Sequence, residues 1–261
     1  MSKVPIGLQL YSVREECAKD LAKTLAAVAK MGYAGVEFAG YHNRSAAELR
    51  KMLDDNGLKC CGTHTGLDTL LGDALPRTVE FHQQLGNQFL IVPWIPDEKL
   101  KGAACLATAR QFNEIAAKLA PLGMQTGYHN HHSEFTAVDG VVPWDAFFGN
   151  TVPSVVMQLD LGNGFAGEAN LVKILRDYPG RPATVHLKPY SRKMASTGGM
   201  EAGFRPLIGE DDVPWAEVFD LCEGQGKTKW YIVEYESDAH PPLEAVKLCL
   251  GALKRMGKGG A

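Results

Sequence analysis

The residues of this chain best suited to chemistry fall in its second half. Tyr128-His129-Asn130-His131-His132-Ser133-Glu134 gathers three imidazoles and a carboxylate; Asp160 follows, then His186 and Lys188, then Glu234 and Glu236. Asp160 ends one short apolar run, and His186 and Glu234 are each carried by another. Two or three carboxylates with one or two imidazoles, and no thiolate, suit Mn²⁺, Co²⁺, Mg²⁺, Fe²⁺ or Zn²⁺ in a reactive site and argue against a structural zinc. A single strand-end Asp or His can equally cap a helix or satisfy buried backbone. A set on consecutive strands is different, because carboxylates buried side by side without a cation are costly. One divalent metal is therefore expected, manganese first, with Asp160, His186 and Glu234 among its ligands.

The elements that must position these groups are legible as a rhythm. Eight apolar runs with strand character, at 6–12, 34–40, 58–64, 88–94, 124–130, 154–160, 183–189 and 230–236, alternate with helical patterns, which is the pattern of βαβ units around a parallel sheet. Ser45-Ala46-Ala47-Glu48 reads as a capping box, Asn170 as an N-cap and Pro241-Pro242 as a helix start. Glycines after Met31, Asn56, Leu85 and Leu122 read as helix stops. Eight such units predict an α/β fold, a (β/α)8 TIM barrel, over residues 1–261 as one domain. The stretch 190–214 is too long for an idle connection and reads as a rim loop or lid. The closing residues 257–261 read as a disordered tail.

In such a barrel the strand ends and the loops after them build the active site. Strand alternation puts His129 with His131, Glu234 with Glu236, and Lys188 with His186. Lys188 is placed to polarise a substrate oxygen or to bind a carboxylate or phosphate. Glu37, His64, Gln9 and Tyr11 on the early strands are candidate hydroxyl binders. Trp94 is a candidate substrate wall, with Trp144, Phe165 and Trp215 weaker ones, and Arg192 and Arg205 could clamp an anion.

Composition sets the bounds. The chain has 261 residues, 45% hydrophobic and 22% charged, with a formal net charge of −3. That balance leaves no electrostatic footprint for nucleic acid or an anionic membrane, so a small, neutral or weakly charged partner molecule is expected, with a homo-oligomer compatible. Six cysteines without a CxxC pair read as reduced and mostly buried. The absence of a signal-like start or a membrane-length apolar run makes a cytoplasmic protein the expectation.

The segments YHNHHSEF, QLDLGN, VHLKPY and YIVEYE, with the opening GLQLYSVR, GVEF, GTH and LIGEDDVPW, resemble the sugar phosphate isomerase/epimerase family of xylose isomerase-like TIM barrels. The resemblance spans nearly the whole chain. It implies one divalent metal held by Glu, Asp, His and Glu from strands five to eight; Asp160, His186 and Glu234 match the last three. Strand five departs from the family's ketose 3-epimerases, having His129 where they carry Glu. Glu134, reaching back from the loop, is the expected fourth ligand, which leaves His129 or His131 as base; a histidine as the ligand is the alternative.

The implied function is a sugar isomerase or epimerase acting on a ketose, keto-sugar or keto-polyol, by proton abstraction beside a carbonyl through a metal-stabilised enediolate. Resemblance to inosose dehydratases and 3-keto-glycoside lyases keeps a lyase as the alternative, since a histidine base favours one-sided elimination. A non-catalytic sugar-binding barrel would show a broken ligand set, which this chain does not. A DNA repair endonuclease of this fold would need more metal ligands and a basic surface.

Overall fold

The periodicity of each strand decides which residues face inward. In the computed structural model, which describes residues 3–259, β1 (Ile6–Gln9), β2 (Gly35–Ala39), β3 (Lys59–His64), β4 (Phe89–Val92), β5 (Gln125–His129), β6 (Val156–Asp160), β7 (Thr184–Leu187) and β8 (Trp230–Val233) form a closed barrel. Every neighbouring pair is parallel, including β1 with β8. The eight expected strands are all present.

Helices wrap the barrel. They are α1 (Arg14–Lys19), α2 (Leu21–Met31), α3 (Ala46–Asp55), α4 (Ala74–Leu85), α5 (Gly102–Leu119), α6 (Pro143–Gly149), α7 (Leu161–Ala166), α8 (Leu171–Asp177), α9 (Arg192–Gly198), α10 (Met200–Gly203), α11 (Trp215–Glu223) and α12 (Pro242–Arg255). The capping box is present: the Glu48 amide donates to Ser45 Oγ and the Ser45 amide to Glu48 Oε2. Asn170 caps α8 through the Lys173 amide, and Pro242 is the first residue of α12. Gly32 and Gly86 close α2 and α4 with φ of 98° and 79°, a left-handed conformation that side chains disfavour.

Alternation sorts each strand into two faces. Val36, Phe38, Leu90, Val92, Met157, Leu159, Val185 and Leu187 join the large apolar cluster between sheet and helices. Their neighbours point into the barrel. At one level Phe89, Ile91, Val156 and Ala183 form a separate apolar cluster with Trp230 packed on it. Farther along the same strand faces, toward the C-terminal ends, lie Gln9, Glu37, His64, His129, Gln158, Asp160 and His186, all polar. The barrel therefore has a dry plug beneath a polar layer.

Where the expected runs 183–189 and 230–236 continue, the strands stop at Leu187 and Val233; the Glu234 amide still reaches the Leu187 carbonyl at 3.3 Å. Lys188 and Glu234 are thus the first residues beyond the sheet, on the active-site rim. The stretch 190–214 holds α9 and α10, with the Ser191 amide bonded to the Gly203 carbonyl and Asp212 joined to Ser191. At the C-terminus the Lys258 amide donates to the Leu253 carbonyl; residues 260 and 261 lie outside the described residues. All six cysteines are unbridged, and all but Cys60 are fully buried. Among the described residues no helix is long and apolar enough to cross a membrane.

Removing the α3 cap isolates one local contribution. Ser45→Ala should destabilise the fold by about 1 kcal/mol, read as a fall of roughly 2–4 °C in thermal midpoint. An unchanged midpoint would mean that the cap contributes nothing.

Candidate metal centre and active site

The polar layer converges on His186. β7 buries this imidazole completely, with Nδ1 2.6 Å from Glu234 Oε2 and Nε2 2.6 Å from Glu37 Oε2. Asp160 Oδ2 lies 3.8 Å from the same Nδ1. Burial pulls the imidazole pKa down, but the facing Glu37 and Glu234 carboxylates more than reverse this and lift it to about 10. Three carboxyls around one imidazole make this a strongly negative enclosure.

Asp160 and Glu234 respond in opposite directions. Burial raises the Asp160 carboxyl to about 7, with Lys188 opposing. Burial also pushes Glu234 upward, but the Lys188 ammonium and His186 outweigh it and hold this carboxylate well below its usual range. Asp160 Oδ1 accepts the Asn163 amide at 2.6 Å, and Asn130 fixes the Asp160 backbone from both sides, accepting its amide and donating to its carbonyl. Asp160 Oδ2 has no hydrogen-bond partner among the described residues, although it is buried. Buried His129 Nδ1 is likewise unpartnered; burial, then His186 and His64, keep this imidazole neutral.

Donor atoms of His129, Asp160, His186 and Glu234 all lie within 4.8 Å of one another. Orphaned carboxylate and imidazole atoms in a buried, mixed N/O set are what a divalent cation satisfies, so the residues fit a metal. Among the described residues a second group, His64, His129 and His186, shares two of these imidazoles.

Glu134 is elsewhere. Its carboxylate accepts the Tyr128 hydroxyl at 2.5 Å and the His131 amide at 3.0 Å, because the short turn after β5 folds it back under its own segment. It stands 3.8 Å from His131 Nδ1. Glu134, expected as the fourth ligand, is not in this cluster; the strand-five donor there is His129, whose β5 position faces the barrel axis. Glu37, expected as a hydroxyl binder, is fully buried and off the cavity wall, accepting Gln9 Nε2 and Gln158 Nε2 at 2.8 Å. Its carboxylate is engaged with the His186 ring.

A cavity of about 930 Å³ opens above this layer, and His64, His129, His131, Lys188, Glu234 and Glu236 are on its wall. Lys188, nearly buried, donates to Glu236. Tyr11 and Arg205 also line the cavity, with Met200, Glu201 and Phe204 from the 190–214 stretch. Trp94 does not: after β4 the chain turns through Pro93, and the indole is 60% exposed away from the wall. Trp144 and Trp215 are buried in the core, Phe165 packs against that core, and Arg192 stacks on Phe165.

Gln158 escaped the sequence reading. It bonds His64 Nε2 at 3.0 Å, Glu37 and Thr184 Oγ1, tying four strands together. Its place two residues before Asp160 on β6 was the available signal. Gly62 is a second such residue, since a Cβ there would stand 2.4 Å from Glu37 Oε1, beside the register shift between β2 and β3.

The family model for the xylose isomerase-like TIM barrel matches residues 25–256. This chain belongs to that family. It is 24% identical over 274 residues to an inosose dehydratase of Serratia proteamaculans, covering 89% of this chain and 87% of the relative. A sugar phosphate isomerase/epimerase of Parabacteroides distasonis superposes with a TM-score of 0.79 at 25% identity, over 97% of this chain and 98% of the other. An L-ribulose 3-epimerase superposes with a TM-score of 0.69 at 15% identity, over 97% and 94%, a likeness of fold.

A carboxylate behind a metal-facing imidazole orients the ring and raises its basicity. Glu37→Gln should therefore weaken divalent metal binding by about 10- to 100-fold in a calorimetric titration, with the circular dichroism spectrum retained. Unchanged affinity would remove Glu37 from this role.

Proposed function

We propose that this chain is a divalent-metal-dependent carbohydrate lyase of the dehydratase type. Its substrate is a keto-polyol or keto-sugar, and the first step removes a proton beside the carbonyl. The observation that carries the reading is the buried donor quartet of His129, Asp160, His186 and Glu234 at the floor of the cavity, with two of its atoms unpartnered. A divalent ion held by these side chains supplies Lewis-acid polarisation of the substrate carbonyl.

The remaining work falls to residues on the wall. His131, its side chain 42% exposed, is the proton carrier. It takes the proton from carbon, the C–H electron pair becomes a C=C bond, and the β C–O bond breaks. The same imidazole returns its proton to the departing hydroxyl, which leaves as water. Glu134 lies behind His131 and raises its pKa above the ordinary value against the opposing effect of burial, which suits a group that must both accept and donate near neutrality. Lys188, held by Glu236, places an ammonium where negative charge grows on the carbonyl oxygen.

Elimination is preferred to epimerisation because the quartet contains one glutamate. His129 occupies the strand-five place where, by resemblance, two-base epimerases carry the other. The likeness to an inosose dehydratase over most of both chains supports the same reading.

Metal analysis of the purified protein comes first: one divalent ion per chain is expected, lost in Asp160→Ala and strongly weakened in Glu234→Gln. Solvent deuterium exchange into a panel of ketoses, inososes and 3-keto-glycosides should then fall by about 10²- to 10⁴-fold in His131→Ala, with an unsaturated ketone as product. A protein that takes up no metal, or full exchange in His131→Ala, would overturn the proposal; an epimer or isomer as product would replace the lyase with an isomerase.

A further inference from the structure

Beside the main cavity lies a second one, of about 420 Å³, between the turn after β1 and the segment that follows β8. The two share a wall of Glu236, Ser237 and Asp238. Tyr11 marks their boundary on the other side. Its ring is 43% exposed and lines the main cavity, while Arg14, from the second cavity, lies 4.5 Å over the ring and donates Nη1 to the Tyr11 carbonyl at 2.9 Å. The stack fixes the phenol as a preformed platform rather than a mobile surface side chain.

Charge narrows what could bind. Glu15, Glu16, Glu236 and Asp238 line the second cavity against Arg14, and Arg14 is already engaged with Tyr11. In the main cavity Lys188 is engaged with Glu236, and Arg205, also on its wall, is outnumbered by Glu201, Glu234, Glu236 and Asp238. An anion such as a phosphate ester would face uncompensated carboxylates, whereas hydroxyl groups can donate to them. The main cavity is already within the roughly 300–1,000 Å³ range of a complete small-molecule site, so the second adds room that one ring does not need.

We propose that the second cavity is a distal subsite for the second ring of an uncharged, hydroxyl-rich two-ring ligand whose first ring occupies the main cavity. This rests on the carbohydrate reading of the main cavity. Tyr11 underlies the junction between the rings, and Glu236 and Asp238 accept hydroxyls from both.

The full chain is titrated with cellobiose, glucose and glucose 6-phosphate, and contacts are read by saturation-transfer NMR. Cellobiose should bind at least about tenfold more tightly than glucose, as expected when two linked rings engage adjoining sites, with saturation reaching both rings. His240→Ala, at a residue that lines the second cavity alone, should bring cellobiose down toward the affinity of glucose and leave glucose unchanged, and Arg14→Ala, which also releases the Tyr11 platform, should abolish the cellobiose preference. Equal affinities in the wild type, a preference that survives both substitutions, or tighter binding of the phosphate would overturn the subsite. Deuterium exchange into monocyclic ketoses tests the catalytic reading separately. Exchange without a cellobiose preference rejects the subsite alone; the preference without exchange supports the subsite while rejecting the lyase.

Discussion

The contact on which the site depends is that of His186 with Glu37 and Glu234, one imidazole held between two carboxylates inside the barrel. Buried carboxylates repel one another and lack solvent, so they persist only if positive charge is shared among them. The imidazole and the Lys188 ammonium supply that charge in the protein alone. A divalent cation would take over the part played by the proton on Nδ1, leaving Glu37 to anchor Nε2. The same geometry thus keeps the fold tolerable without metal and leaves the donor atoms aimed at one point.

The apolar plug makes this possible. Phe89, Ile91, Val156 and Ala183 fill the barrel below, so the polar layer is closed to water from that side and open only toward the cavity. Low effective dielectric then strengthens every interaction in the layer, favourable or not. This is why Gln9, Gln158 and Thr184 appear beneath the donors: each saturates a group that burial would otherwise leave unpaired. Glu37 joins Gln9, Gln158, His186 and, through His186, Glu234 into one connected network.

Strand five is where this chain departs from the resemblance to ketose 3-epimerases. Inward-facing His129 stands in the donor cluster, while Glu134 is turned onto the Tyr128 hydroxyl and the His131 amide. In the proposed reaction His131 carries the proton from the exposed side of the same segment.

The sequence by itself determined the eight-unit barrel, because alternation of period two and helix caps and stops are local signals that tertiary context did not override. It also determined that Asp160, His186 and Glu234 would meet, since each lies within one residue of its strand's C-terminal end, and parallel strands in a barrel bring those ends to one rim. Tertiary structure decided the rest. Whether His129 or Glu134 joins the cluster depends on how the turn after β5 folds, and Tyr128 and the His131 amide draw Glu134 away. Glu37 was a candidate hydroxyl binder from its strand position, but it is buried against His186, Gln9 and Gln158 from three other strands. Trp94 was lost to solvent through the turn at Pro93. Such choices are made by contacts between residues far apart in the chain, and no local pattern carries them.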